Sequence, residues 1–124
     1  MADLDAVHDR LRDILAPYRD NLVATKDGPS GLTLEVPGLE GQPWGYVAGT
    51  RLGKRYVSYY LMPVYESPGA VEGMSPELRK RMQGKSCFNF STIDEGVFAE
   101  LADITARTVP GFEARAREHA TQRS

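Results

Sequence analysis

The sequence predicts an α+β fold, in which one mostly antiparallel five-stranded sheet has helices packed on one face. Two observations support this class. Four segments with strand character follow one another through the first half of the chain, separated by turns rich in Gly and Pro. Segments with helical spacing of apolar residues flank them, in the order α-β-β-β-β-α-β-α. Consecutive strands pair antiparallel, and helices outside the run cover one side of the sheet.

Length and composition indicate one soluble cytoplasmic domain that spans residues 1–124. The chain has 124 residues, 41% of them hydrophobic and 26% charged, with a formal net charge of -2. This charge gives no global attraction to nucleic acid or to an anionic membrane, so we expect neither as a partner. A single cysteine forms no internal disulfide, and the acidic N-terminus lacks the basic start of a secretory signal.

The first helix is expected to begin after Asp3, whose side chain can cap it, and to be interrupted at Pro17. Its apolar residues share one face: Leu4, Val7, Leu11, Ile14 and Leu15. Residues 22–25 and 32–36 then form a hairpin around the turn at residues 27–30.

Two further strands are predicted at residues 44–52 and 56–62. Gly53 and Lys54 suit a two-residue turn between them, and Pro63 marks the end of the second strand.

The rest of the chain is predicted to form a helix, a strand and a second helix. Ser75 followed by Pro76 is typical of a helix start, and Gly84 ends that short helix. The fifth strand is expected within residues 84–91, and residues 92–95 form a capping box for a longer helix. The Pro110-Gly111 pair is expected to break or kink this helix, so that residues 112–120 form a separate polar one.

Several of these segments together resemble one family. They are RYVSYYLMP at residues 55–63, SPEL at 75–78, Gly84-Lys85 leading to two phenylalanines, and the helix that starts near Asp94. This pattern resembles the YdhG-like bacterial family of unknown function over about the last two-thirds of the chain. The resemblance implies a frataxin-like sandwich, and one branch of the family is regarded as an iron chaperone. It implies no catalytic residues.

The face of the sheet without helices is the predicted binding surface. Alternation along the strands places Leu34, Tyr59 and Phe88 toward the core and sends their neighbours to the other side. Val47 and Gly49 are expected to share the face of Arg51. We define the predicted open-face set as Glu35, Arg51, Ser58, Tyr60, Met62, Lys85, Cys87 and Asn89. Aromatic bodies beside a few polar groups are typical of ligand sites and of protein interfaces, so the partner is a small molecule or a protein, including a second copy.

Cys87 has three interpretations: a nucleophile, a residue that lines a ligand site, or a small strand residue. Lys85 on the same face is expected to lower the pKa of the thiol modestly. A cysteine enzyme also needs a base, and the two histidines, His8 and His119, lie on polar helical stretches where we expect them solvated. We therefore expect a binding domain without enzymatic activity and without a tightly held cofactor.

An acidic ridge supports an alternative function. Asp5, Asp9 and Asp13 recur every four residues along the first helix and offer hard oxygen ligands for weakly held iron. The competing interpretation is a solvated helix face in which arginines such as Arg12 pair with these acids. A basic cluster at residues 79–81, which Lys85 and the Lys54-Arg55 turn can extend, is interpreted as a solvated surface.

Overall fold

The computed structural model describes residues 3–42, 45–65, 69, 72–84 and 86–123, with side chains up to residue 118. Its helices are α1 (Leu4–Leu15), α2 (Met62–Tyr65), α3 (Pro76–Arg79) and α4 (Glu95–Arg123), and a 3-10 turn at Ala16–Tyr18 follows α1. The strands are β1 (Val23–Gly28), β2 (Gly31–Glu35), β3 (Tyr46–Leu52), β4 (Val57–Leu61), β5 (Met82–Gln83) and β6 (Cys87–Phe90). The fold is therefore α+β, as predicted.

The strands form one antiparallel sheet in the order β1-β2-β3-β4-β6-β5. The sixth strand is the two-residue β5, which was predicted as the end of a helix. Helix α3 ends at Arg79, and the chain then pairs with β6 before Gly84 turns it with a φ of 77°. Glycine suits this position because an L side chain rarely adopts a positive φ.

The core lies between the helices and one face of the sheet. Tyr59 and Phe88 face each other across β4 and β6 and are fully buried. The Tyr59 hydroxyl lies 2.7 Å from the hydroxyl of Thr105 on α4, so a hydrogen bond ties the long helix to the central strand. Phe90 packs edge-to-face on Phe98 of the same helix, with ring centroids 5.0 Å apart. These contacts place α4 on the same side as α1.

Three helix starts follow from capping side chains. Asp3 caps α1 by accepting from the N–H groups of Asp5 and Ala6. Ser75 caps α3, with Pro76 at its first position. For α4 the predicted capping box at residues 92–95 is wrong, because the cap is Asp94, whose carboxylate accepts from the Val97 N–H.

Local expectations failed at two proline or glycine positions, the Pro110-Gly111 pair and the Gly53 turn. Helix α4 continues through Pro110 and Gly111 as one 29-residue element, so the predicted break is absent. The β3–β4 connection has four residues instead of two, because Leu52 pairs with Val57 and the Gly53 N–H donates to the Tyr56 carbonyl. Pro63 marks the end of the strand as predicted, since β4 ends at Leu61, but Pro63 itself lies inside α2.

No helix in the described part of the chain is long and apolar enough to cross a membrane.

Candidate ligand-binding face

The face of the sheet opposite the helices carries two rows of side chains. In the first row Arg51 of β3 pairs with Ser58 of β4, and Ser58 pairs with Asn89 of β6. The Ser58 hydroxyl donates to the Asn89 side-chain oxygen over 2.8 Å. In the second row Gly49 pairs with Tyr60, and Tyr60 with Cys87. Five residues of the predicted open-face set are thus brought together on adjoining strands.

Glu35 lies on the same face, but neighbouring residues already donate hydrogen bonds to its carboxylate. Only 7% of the residue is exposed. Its carboxylate accepts a short hydrogen bond from the Thr25 hydroxyl and another, of 2.9 Å, from the Gly41 N–H. Glu35 therefore holds the loop after β2 against the edge of the face, which leaves little of it for a ligand.

Met62 was expected on the open face, and this orientation is wrong. The strand ends at Leu61, and Met62 begins α2 with its side chain packed against the hydrophobic core. The change from strand to helix ends the alternation that the prediction relied on. Lys85 lies outside the described residues.

Tyr46 belongs to this face and was not predicted there. Alternation had placed Val47 beside Gly49, but a register shift on β3 makes Ala48 pair with Leu34 while Tyr46 pairs with Glu35. Val47 is consequently buried in the core. The Tyr46 hydroxyl lies 2.7 Å from the point that a Cβ of residue 49 would occupy. A glycine inside a strand is a known sign of a bulge or of close approach, and Gly49 carried that signal.

The thiol of Cys87 is not activated. Burial raises its pKa, and hydrogen bonds from Ser58 and Tyr60 only partly offset this effect, so the predicted lowering is wrong. The predicted solvation of His8 is also wrong: the residue is 2% exposed, and its Nε2 lies 2.7 Å from the Thr50 hydroxyl. Thr50 pairs with Tyr59 on the core side, so His8 and Cys87 lie on opposite faces of the sheet. The side chain of His119 is outside the described set.

Asp5, Asp9 and Asp13 all lie on α1 and are exposed. The basic residues of the helix bind other acids, since Arg10 pairs with Glu95 at 2.6 Å and Arg12 pairs with Asp27. The expected pairing of Arg12 with the ridge is therefore wrong. Within the described residues, no three His, Cys, Asp or Glu side chains gather closely enough to hold a metal ion.

A cleft of about 720 Å³ opens where the first row meets the β3–β4 hairpin. Its lining combines three open-face residues with the hairpin loop: Arg51, Leu52, Gly53, Lys54, Arg55, Tyr56, Ser58 and Tyr60. Three of these residues are cationic, and Tyr56 is 46% exposed. A concave site with a few polar groups and aromatic walls is a typical arrangement for binding a small molecule.

The basic cluster at residues 79–81 divides between two surfaces. Arg79 ends α3, which packs on α4. Arg81 lies beside the first row, because its carbonyl accepts from the Asn89 N–H over 2.8 Å. Of these two arginines, Arg81 is therefore the one adjacent to the open face.

Comparisons of the chain with models of protein families, with curated proteins and with solved structures find no match.

Proposed function

We propose that this protein is a non-enzymatic binding domain that holds a ligand on the open face of its sheet. The observation that carries the proposal is the cleft at the β3–β4 hairpin, which is continuous with Arg51, Ser58 and Tyr60. Three residues that the sequence assigned to a binding surface thus line a concave site of suitable size. The site is built on paired strands, which hold their side chains in fixed positions.

A small molecule fits this face better than a second copy of the chain. The cationic groups of Arg51, Lys54 and Arg55 concentrate at one end. A two-fold interface centred there brings identical surfaces together, so like charges meet at its centre. Interface cores are also depleted of charged residues in general, because burying a charge is costly. The alternative partner for the open face is a second copy of the chain, which would form a homodimer.

The absence of enzymatic activity is part of the same proposal. Cysteine catalysis requires a thiolate and a base within hydrogen-bond reach. The raised pKa of Cys87 and the position of His8 across the sheet both argue against that chemistry.

The cellular setting is inferred from the sequence. We place the domain in the cytoplasm, because the single cysteine makes no demand for an oxidising compartment. Membership of the YdhG-like family, and with it a weak iron chaperone as the alternative function, rests on the resemblance of the segments from residue 55 onward.

Replacement of Tyr60 by alanine tests the proposed function. Tyr60 is half-buried on the open face, whereas its neighbour Tyr59 supplies the core, so Tyr60→Ala is expected to remove the ligand and keep the fold. Native mass spectrometry of the protein as isolated from cells, and thermal shifts with a metabolite mixture, give the readout.

Ile93→Ala is the matched control, since Ile93 is 41% exposed, lies in the connection between β6 and α4, and is not among the residues that line the cleft. A ligand that is retained by wild type and by Ile93→Ala but lost from Tyr60→Ala supports the proposal. Equal retention by all three proteins, or no ligand and no thermal shift with wild type, contradicts it.

A further inference from the structure

We propose that the hairpin cleft takes a ligand in which a phosphate group is joined to a planar ring, the chemistry of a nucleoside monophosphate. This inference rests on the proposed function and adds the class of ligand. Three features support it: cations without acidic partners, two tyrosines in the lining, and an amide N–H donor beside the cleft that has no partner among the described residues.

The cations of the cleft are free to bind an anion. No ion pair among the described side chains involves Arg51, Lys54 or Arg55. On the adjoining β1–β2 hairpin, Asp27 pairs with Leu32 on the core side, where Arg12 and Arg19 bind its carboxylate. The cleft therefore keeps its positive charge.

A further cation lies next to this group. The side chain of Lys26 passes over Gly31, and its Nζ lies 3.7 Å from the point that a Cβ of residue 31 would occupy. Gly31 pairs with Arg51, so the ammonium group is close to the edge of the cleft. Several cations that share one concave surface favour a multiply charged anion, and guanidinium groups bind phosphate oxygens in a bidentate manner.

Tyrosines supply the surface for a planar ring. Both Tyr60 on β4 and Tyr56 in the β3–β4 loop line the cleft, and almost half of the Tyr56 surface is exposed. Aromatic side chains and arginine planes are the groups on which nucleobases stack. A purely inorganic anion makes no use of them.

One hydrogen-bond donor beside the cleft has no protein partner within the described residues. The side-chain oxygen of Asn89 accepts from Ser58 over 2.8 Å and from the Cys87 thiol over 3.6 Å. Its amide nitrogen is left to donate outward. A ring nitrogen, a hydroxyl or a phosphate oxygen of the ligand can accept this bond.

The extent of the positive surface favours a small ligand over a nucleic-acid strand. The cleft of about 720 Å³ lies within the usual range of about 300 to 1,000 Å³ for small-molecule sites. A strand needs cations along several nucleotides. Here the opposite end of the face carries Glu35, and Glu40 follows in the adjoining loop.

Titration of the full chain with AMP tests the assignment, with adenosine, inorganic phosphate and a ten-nucleotide thymidine oligomer as comparison ligands. Calorimetry at low salt is run on wild type, Arg51→Ala, Arg55→Ala and Arg79→Ala. Arg79→Ala is the matched control, because it removes an exposed arginine outside the cleft. Circular dichroism checks that each variant is folded.

We expect AMP to bind wild type about tenfold more tightly than adenosine or phosphate alone, and about tenfold more weakly to Arg51→Ala and Arg55→Ala. The Arg79→Ala control is expected to match wild type. The inference is overturned if AMP does not bind, if the cleft variants bind it as wild type does, or if adenosine or phosphate binds equally well. Markedly tighter binding of the oligomer also overturns it, in favour of a nucleic-acid site.

The two proposals fail separately. A ligand that wild type retains and Tyr60→Ala loses, combined with no AMP binding, keeps the binding function and overturns the ligand class. An absence of any ligand in the first experiment, with no binding of AMP in the second, overturns both.

Discussion

At the scale of single residues, His8 illustrates how burial changes a side chain's chemistry. Helical spacing placed it on a polar stretch, yet it faces Thr50 of β3 with 2% of its surface exposed. Burial lowers its pKa below the ordinary value of 6.5, and the positive charge of Arg12 acts in the same direction. Asp9 and Asp5 partly oppose the shift.

This shift predicts a pH dependence of stability. Because the folded protein binds a proton at His8 less readily than the unfolded chain, the free energy of unfolding is at its full value above about pH 6.5 and declines as the pH falls toward the folded-state pKa. Urea unfolding between pH 5 and 8 measures the decline, and His8→Gln is expected to flatten it. A pH dependence that is the same in His8→Gln as in wild type contradicts the prediction.

The sequence correctly predicted which residues lie on the open face wherever side chains alternate strictly along a strand. Arg51, Ser58, Tyr60, Cys87 and Asn89 lie on one face because paired strands alternate side chains with a period of two. Met62 was misplaced because the strand ends before it. The ligand-binding roles of all these residues remain predictions.

At the scale of elements, α4 departs most from local expectation. Pro110 lies in its interior, where it has no N–H to donate to the carbonyl of Ala106, and Gly111 follows. Apolar residues on both sides of the pair keep the helix on the core: Val97, Phe98, Leu101, Ile104, Val109, Phe112 and Ala116. Burial of this long face outweighs the local cost of the proline.

Replacement of Pro110 by alanine is expected to raise the free energy of unfolding by about 1 to 3 kcal/mol, because it restores a backbone hydrogen bond and a good helix former at an exposed position. Gly111→Ala is the comparison, with an expected gain of about 1 kcal/mol; its new Cβ meets only the flexible end of Arg115, 3.4 Å away. Urea unfolding measures both. A loss of stability in Pro110→Ala would show that the helix depends on the proline geometry.

At the scale of the whole molecule, charge is separated between two surfaces. The open face is cationic at the hairpin cleft, while Asp5, Asp9 and Asp13 form an exposed acidic ridge on α1, which packs on the opposite face. Arg10 and Arg12 are occupied by Glu95 and Asp27. The two candidate functions therefore involve different sides of the molecule: iron binding the acidic ridge, and ligand binding the cleft.

The iron alternative makes its own prediction. If the ridge holds iron through carboxylate oxygens, Fe²⁺ binds wild type weakly and the Asp5/Asp9/Asp13→Asn variant does not bind it. Anaerobic equilibrium dialysis of both proteins measures this difference, with Arg51→Ala as a control that leaves the ridge intact. Equal binding to the wild type and the ridge variant, or no binding to either, rejects the ridge as an iron site.

The sequence by itself determined the features that depend on neighbours along the chain. Strand alternation, the turn at Pro29 and Ser30, and the caps at Asp3 and Ser75 are local, so they were enough to predict the α+β class and the open face. Contacts between distant segments decided the rest: the bulge that turns Tyr46 outward, the burial of His8 against Thr50 and the continuity of α4. The cleft also belongs to this second group, because only the four-residue loop between β3 and β4 brings Lys54, Arg55 and Tyr56 over the strand residues.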